Sequence, residues 1–260
     1  VLSTQLLAYY RQISQQLLTI VDVETSGYTP AEARVIEVSV LQASLTDGIQ
    51  HQQTTLINPP VKVPTKITRF TGISQAMVDQ APLAAAVWPQ YLPLLNKGIL
   101  TAHNLAFDYG FLQAEFQRLG MLFARPGDEQ LCSVILARQM LPDLRSRSLP
   151  DLVRHFGFDV GRSHRAEADT LACWLLTQRL LTEILQEEDE KLLPRFARQW
   201  LPLTEAAAVL GCSSQQARQR LASAGVPARV VGRQQTPMYQ RGAVEQVFWQ
   251  TTGGNQLSCL

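Results

Sequence analysis

The stretch that most constrains this chain is "TIVDVETSG", residues 19 to 27, an apolar β-like run that carries two carboxylates, Asp22 and Glu24, with one residue between them. Side chains two apart on a strand share a face, so Asp22 and Glu24 project together while Val21 and Val23 turn the other way. Unpaired, such carboxylates sit about 6 to 7 Å apart, repel each other and resist loss of water. A bound cation removes both penalties. The plain alternative is a pair of surface acids, and the rest of the sequence has to choose between them.

Residues 17 to 25, 33 to 43 and 50 to 57 read as successive strands, with turn signals at Ser26-Gly27 and Asp47-Gly48, and they predict an antiparallel meander. The pattern then changes: "SQAMVDQAPLAAAVWPQYLPLLN" has helical spacing, "GILTAHN" is a short strand, and "AFDYGFLQAEFQRLG" is an amphipathic helix closed by Gly120. Further helices are expected over 129 to 141, 148 to 156 and 166 to 186. Strands followed by helices, with one later strand returning, predict an α/β domain on a mixed sheet.

The run "EEDEK" at 187 to 191 reads as a solvated helix end, and Pro194 follows it. The reading therefore places one domain over 1–195, a second over 200–250 and a flexible tail over 251–260. The first segment, "VLSTQLLAYYRQISQQLL", has neither a basic start nor a small-residue cleavage site and reads as an amphipathic helix leading into the first domain. With no run of roughly 18 apolar residues and four scattered cysteines lacking any CxxC pair, no membrane contact and a cytoplasmic location are expected. Charge is uneven: residues 1 to 200 hold 18 Lys and Arg against 20 Asp and Glu, whereas 201 to 260 hold five Arg against Glu205 and Glu245.

Two more segments place acids where ligand groups collect. In "TAHNLAFDYGFL", His103-Asn104 is the turn after a strand, and Asp108 lies in the first turn of the next helix, where it favours the helix dipole in any case. In "GRSHRAEADTLACWLL", Asp169 begins an apolar helix and His164 precedes it by five residues in a Gly- and Ser-containing loop.

A DxE on a first strand, an Asp after a later strand and an HxxxxD at a final helix resemble the DEDDh family of 3′→5′ exonucleases, of the ribonuclease H-like superfamily, in its branch of proofreading epsilon subunits of bacterial DNA polymerase III. The likeness covers about residues 17 to 185, through "VDVETSG", "FTGIS", "HNLAFDYGFL", "SLPDLVRHFG" and "SHRAEADT". It implies that Asp22, Glu24, Asp108 and Asp169 hold two Mg²⁺ or Mn²⁺ ions, oxygen ligands suiting hard cations. It implies His164 as the general base, an imidazole with an unperturbed pKa near about 6.5. By the same likeness, Thr25, Gly72 and Ile73 contact the terminal nucleotide, Ile73 against its base, and His103, Asn104 and Phe107 line the cleft. The expected substrate is single-stranded DNA or a DNA 3′ end, in proofreading or repair. The alternatives are an exoribonuclease of the same superfamily, and a replication accessory module that binds DNA or the clamp on a nuclease scaffold.

Over residues 203 to 232 two helical runs flank a turn at Gly211, which predicts a helix-turn-helix. With the hairpin-like "ARVVGRQQTPMYQ" and a last helix, this part is similar to the winged DNA-binding domains of the excisionase and MerR type. Arg218, Arg220, Arg229 and Arg233 are its candidate phosphate contacts. The final "QLSCL" resembles the Gln-Leu motif that binds the sliding clamp, with Gln256, Leu257 and Leu260 as contacts and a DNA polymerase or its clamp as partner.

Overall fold

In the computed structural model, which describes residues 1–161, 163–232 and 235–253, a leading helix α1 (Ser3–Ile13) precedes strand β1 (Leu18–Thr25). Strands β2 (Val35–Ser44) and β3 (Gly48–Leu56) follow and pair antiparallel, β2 on β1 and β3 on β2. Next come three helices, α2 (Thr65–Thr71), α3 (Gln75–Asp79) and α4 (Ala84–Leu95), then β4 (Ile99–Ala102), α5 (Leu105–Arg118) and β5 (Gln130–Cys132). Both β4 and β5 run parallel to β1, giving a mixed sheet in the order β3-β2-β1-β4-β5. Helices α6 (Ser133–Met140), α7 (Leu149–Phe156) and α8 (Ala166–Gln186) complete this part.

The chain divides into two compact units, and the sheet lies in the one made of Gln12–Leu136 and Arg145–Thr182. Val21, Val23, Val38 and Val40 form one sheet face and pack with Trp88, Tyr91, Phe111 and Phe116 of α4 and α5. The acids of β1 are thereby left to the opposite face, where Ser39 Oγ of β2 meets Thr170 Oγ1 of α8 at 3.0 Å. Gly98, ahead of β4, takes φ 58, and a Cβ there would stand 2.2 Å from the carbonyl oxygen of Leu17. The tight entry of β4 beside β1 therefore requires glycine.

Several sequence expectations give way to tertiary pairing. The helix expected over 129–141 begins with β5, because Leu131 is drawn into parallel register with Thr101. The helix expected across "SQAMVDQAPLAAAVWPQYLPLLN" is two, broken around Pro82, whose predecessor is biased away from helical angles. The acidic run after α8 starts a new helix, α9 (Asp189–Ala197), with Asp189 and Glu190 in the first turn, where the dipole favours negative charge.

The other unit comprises Val1–Arg11, Ala137–Leu144 and the chain from Glu183 onward. It contains β6 (Trp200–Pro202), α10 (Leu203–Leu210), α11 (Ser214–Ser223), β7 (Arg229–Val231), β8 (Thr236–Gln240) and α12 (Arg241–Thr252), with a small sheet in the order β6-β8-β7. Leu2, Leu201, Ala206, Leu210, Leu221, Tyr239 and Val244 form its core. A reciprocal capping box between Ser213 and Gln216 starts α11, and Gly211 in the left-handed region ends α10. The leading helix belongs here rather than to the sheet-bearing unit: Ser3 donates through its N–H and hydroxyl to Glu245 at 2.7 and 2.8 Å, and the Tyr10 hydroxyl donates to Gln139 Oε1 at 2.5 Å. Among the described residues no helix is long and apolar enough to cross a membrane.

Candidate active site

The carboxylates of Asp22, Glu24 and Asp169 converge, each offering an oxygen within 4.8 Å of the others. Strand alternation aims the first two, and the first turn of α8 delivers the third. Asp108, in the first turn of α5, is buried, and its Oδ1 accepts the N–H of Val23 at 3.1 Å, on the residue between the two strand acids. One backbone amide thus fastens the start of α5 to the middle of the DxE.

Burial chiefly, and mutual repulsion next, make these acids hard to ionise. Asp22 is pushed well above the ordinary carboxylate range, by burial and then by Asp108, Asp169 and Glu24. Glu24 rises from 4.5 to about 7, with Asp169 and Glu37 adding to burial. Burial also raises Asp108 from 3.8 to about 8 against the lowering effect of the Val23 amide, and Asp169 moves up by burial. Among the described residues none of the four pairs with Lys or Arg. Three convergent carboxylates with a fourth, Asp108, beside them, and no Lys or Arg paired with them among the described residues, fit hard divalent ions.

His164 sits beside this cluster in the left-handed backbone region, φ 64, with its N–H donating to Asp169 Oδ2 at 3.0 Å. Its imidazole lies against the ring of Phe70, centroids 3.8 Å apart and planes 32° from parallel. The next residue, Arg165, reaches a fully buried carboxylate, Glu37 of β2: Arg165 Nη2 donates at 2.6 Å and Nε at 3.1 Å, and the N–H of Ala166 donates to the same carboxylate at 2.9 Å. Glu37 thereby caps α8 and holds the loop that carries His164. Sequence reasoning passed over Glu37 and Arg165, although an acid inside the apolar run "VIEVSV" was the same signal that singled out Asp22 and Glu24. For Phe70 the sequence offered no such signal.

The expected nucleotide contacts fare unevenly. Ile73, expected against a base, is instead fully buried with Ile36, Val63, Ile67 and Val78. His103 is likewise turned to structure, its ring nitrogens engaging Ser133 Oγ and the Arg147 carbonyl at 2.9 Å each. The N–H of Gly72 is used to cap α2 on Thr68, and the Thr25 hydroxyl donates to the Gly27 carbonyl at 2.6 Å. Asn104 is exposed at the left-handed N-cap of α5, and Phe107 is half-buried against Phe111. Arg218 and Arg229 are exposed, Arg229 over the ring of Trp200, while Arg220 reaches the Leu210 carbonyl. Arg233, Gln256, Leu257 and Leu260 lie outside the described residues.

The sequence model of the exonuclease family RNase_T matches residues 19–177. A PolC-type DNA polymerase III of Clostridium perfringens is 34% identical over 152 residues, 58% of this chain and 10% of that protein. The DNA polymerase III subunit epsilon of Aquifex aeolicus is 29% identical over 170 residues, 65% of this chain and 80% of that protein. Among solved structures, the nuclease domain of 3′hExo, a DEDDh family member bound to rAMP, superposes with a TM-score of 0.54 at 20% identity over 64% of this chain and 92% of that one. The chain spans only 10% to 26% of the length of three of its curated relatives.

Proposed function

This chain belongs to the RNase_T exonuclease family, and from that premise we propose that it is a divalent-metal-dependent 3′→5′ exonuclease that releases nucleoside 5′-monophosphates from DNA 3′ ends, in proofreading or repair. The observation that carries the proposal is the convergence of Asp22, Glu24 and Asp169, with Asp108 fastened beside them and, among the described residues, no Lys or Arg ion-paired with any of the four. Asp22, Glu24, Asp108 and Asp169 would hold two Mg²⁺ or Mn²⁺ ions. When bound, such ions neutralise phosphate charge and stabilise both the attacking and the leaving oxygen of an in-line displacement.

The protein's own groups supply the rest. The imidazole of His164 takes the proton of the attacking water, and the Asp169 carboxylate holds the His164 backbone at the edge of the cluster. Glu37, through Arg165 and Ala166, keeps the loop from drifting. Thr25, Gly72, Asn104 and Phe107 remain the candidates for contact with the terminal nucleotides, through backbone and stacking rather than base edges.

DNA is the preferred substrate because the relatives are named as DNA polymerase III proteins. RNA is the second reading, favoured by the rAMP in the 3′hExo domain, since metal chemistry at the phosphate does not sense the sugar. A DNA polymerase or its clamp is the proposed partner, which sets the protein in the cytoplasm.

In the second unit, α10 and α11 with the β7–β8 hairpin are proposed as a winged helix-turn-helix that touches nucleic acid through Arg218, Arg220, Arg229 and Arg233. Its support is the exposed Gln215, Arg218 and Gln219 on α11, and the lack of any Asp or Glu from residue 206 to 244. The clamp reading of Gln256, Leu257 and Leu260 rests on the sequence alone.

Digestion of matched 3′-labelled DNA and RNA strands, single and duplex, tests the proposal. Mononucleotide release from DNA that needs Mg²⁺ and stops with EDTA is expected; release that survives EDTA would overturn it, and faster release from RNA would select the second reading.

A further inference from the structure

His164 has an unusual setting for a group asked to move a proton. Its backbone is held in the left-handed region, and among the described residues the ring that stacks on its imidazole belongs to a separate element, α2, in the shape of Phe70 at 3.8 Å. Phe70 itself is 56% exposed and stands outside the buried cluster that holds α2.

The two partners are nonetheless anchored from one place. Ile36 of β2 packs with Val63, Ile67 and Ile73, which bracket and include α2, so that α2 is fixed to the strand and Phe70 is carried on its outer side. The next residue, Glu37, grips Arg165 and the N–H of Ala166, immediately after His164. Ile36 and Glu37 stand where β2 is bulged against β1, Glu24 pairing with Glu37 and Thr25 with Val35, so strict alternation is interrupted there. Two adjacent residues of one strand therefore hold α2, with its phenyl ring, and the histidine loop, and the two rings meet.

We infer that Phe70 is a positioning residue for the imidazole of His164: its ring restricts the rotation of that side chain and keeps it at the edge of the carboxylate cluster. The inference rests on the proposed function and deepens it. Phe70 acts through His164 and touches no reacting atom. A flat ring at this position serves whatever its substituents, whereas a small or branched side chain leaves the imidazole to swing away.

The test combines kinetics and NMR on the full chain. In Phe70→Ala, kcat is expected to fall about fivefold at unchanged KM, within the range that an aromatic pair can contribute. Phe70→Trp is expected to recover most of the loss. In a His164→Ala background, assayed at high enzyme concentration, Phe70→Ala should have no further effect, because the group it positions is gone. The chain has four histidines, so the ring C–H resonances of His164 can be assigned by its own replacement. They should lie upfield in the wild type and move downfield in Phe70→Leu.

A rise in KM at unchanged kcat would overturn the inference and make Phe70 a substrate contact. So would a loss that persists undiminished in the His164→Ala background, or His164 resonances that ignore Phe70→Leu. A wild-type protein with no nuclease activity would instead remove the proposed function, while the resonances would still report whether Phe70 holds the ring.

Discussion

Two kinds of buried carboxylate occur in the sheet-bearing unit, and they differ in what answers their charge. Glu37 and Glu115 are each about as buried as a side chain can be, at 1% exposure, and each has a guanidinium: Arg165 at 2.6 Å for the first, Arg34 at 2.7 Å and Arg118 at 3.1 Å for the second. Asp22, Glu24, Asp108 and Asp169 lie together with no Lys or Arg ion-pair partner among the described residues and are pushed toward the protonated state. Matched acids hold elements in place, the Glu37 pair at the start of α8 and the Glu115 pair between β2 and α5. Unmatched acids, Glu24 and Asp108 buried and Asp22 and Asp169 half-buried, destabilise the metal-free fold, and a cation from outside would relieve their convergence.

Replacements that break this contrast should separate activity from stability. The largest effect is expected for Asp22→Asn or Asp169→Asn, with turnover falling about ten thousandfold while the metal-free protein becomes more heat-stable, measured by 3′-labelled digestion and by thermal melting. His164→Ala should lower turnover about a hundredfold to a thousandfold and leave Mn²⁺ binding intact, since the ring lies outside the ligand set; loss of metal binding would contradict that division.

On the matched side, stability alone should move. Glu115→Gln is expected to cost about 3 kcal/mol in denaturant unfolding, as a buried pair loses one charge. Glu37→Gln should cost less, about 1 to 2 kcal/mol, because the Arg165 side chain is 37% exposed and water answers part of its charge.

The subtlest effect is on pH dependence. Glu24 at about 7 and Asp108 at about 8 bind protons in the fold that the unfolded chain has released. Their contribution to metal-free stability is therefore complete below their unfolded values and is lost as pH rises through about 7 and 8. The thermal shift on adding Mg²⁺ should accordingly be greater at alkaline than at acid pH.

How much of this was legible in the sequence depends on whether the cause was local. Asp22 and Glu24 were readable because strand alternation is a local rule, and Asp108 and Asp169 because each opens a helix. The first three strands and α5, α7 and α8 were readable for the same reason. Strand β5 was hidden because three residues carry little periodicity and its pairing with β4 is a tertiary event. The burial of Ile73 depends on Ile36, far away in the chain, and the partners of the His103 ring come from two later segments. The position of α1 was misread because an amphipathic helix announces a buried face without saying what covers it.

The central claim is that the unmatched acids form a divalent cation site. Calorimetric titration of the metal-free protein with Mn²⁺ at mildly alkaline pH, wild type beside Asp22→Asn, tests it most directly. Binding of about two ions per chain in the wild type, accompanied by proton release and sharply weakened in the variant, is the expected result. A wild type that takes up no Mn²⁺, or an Asp22→Asn protein that binds it equally well, would contradict it.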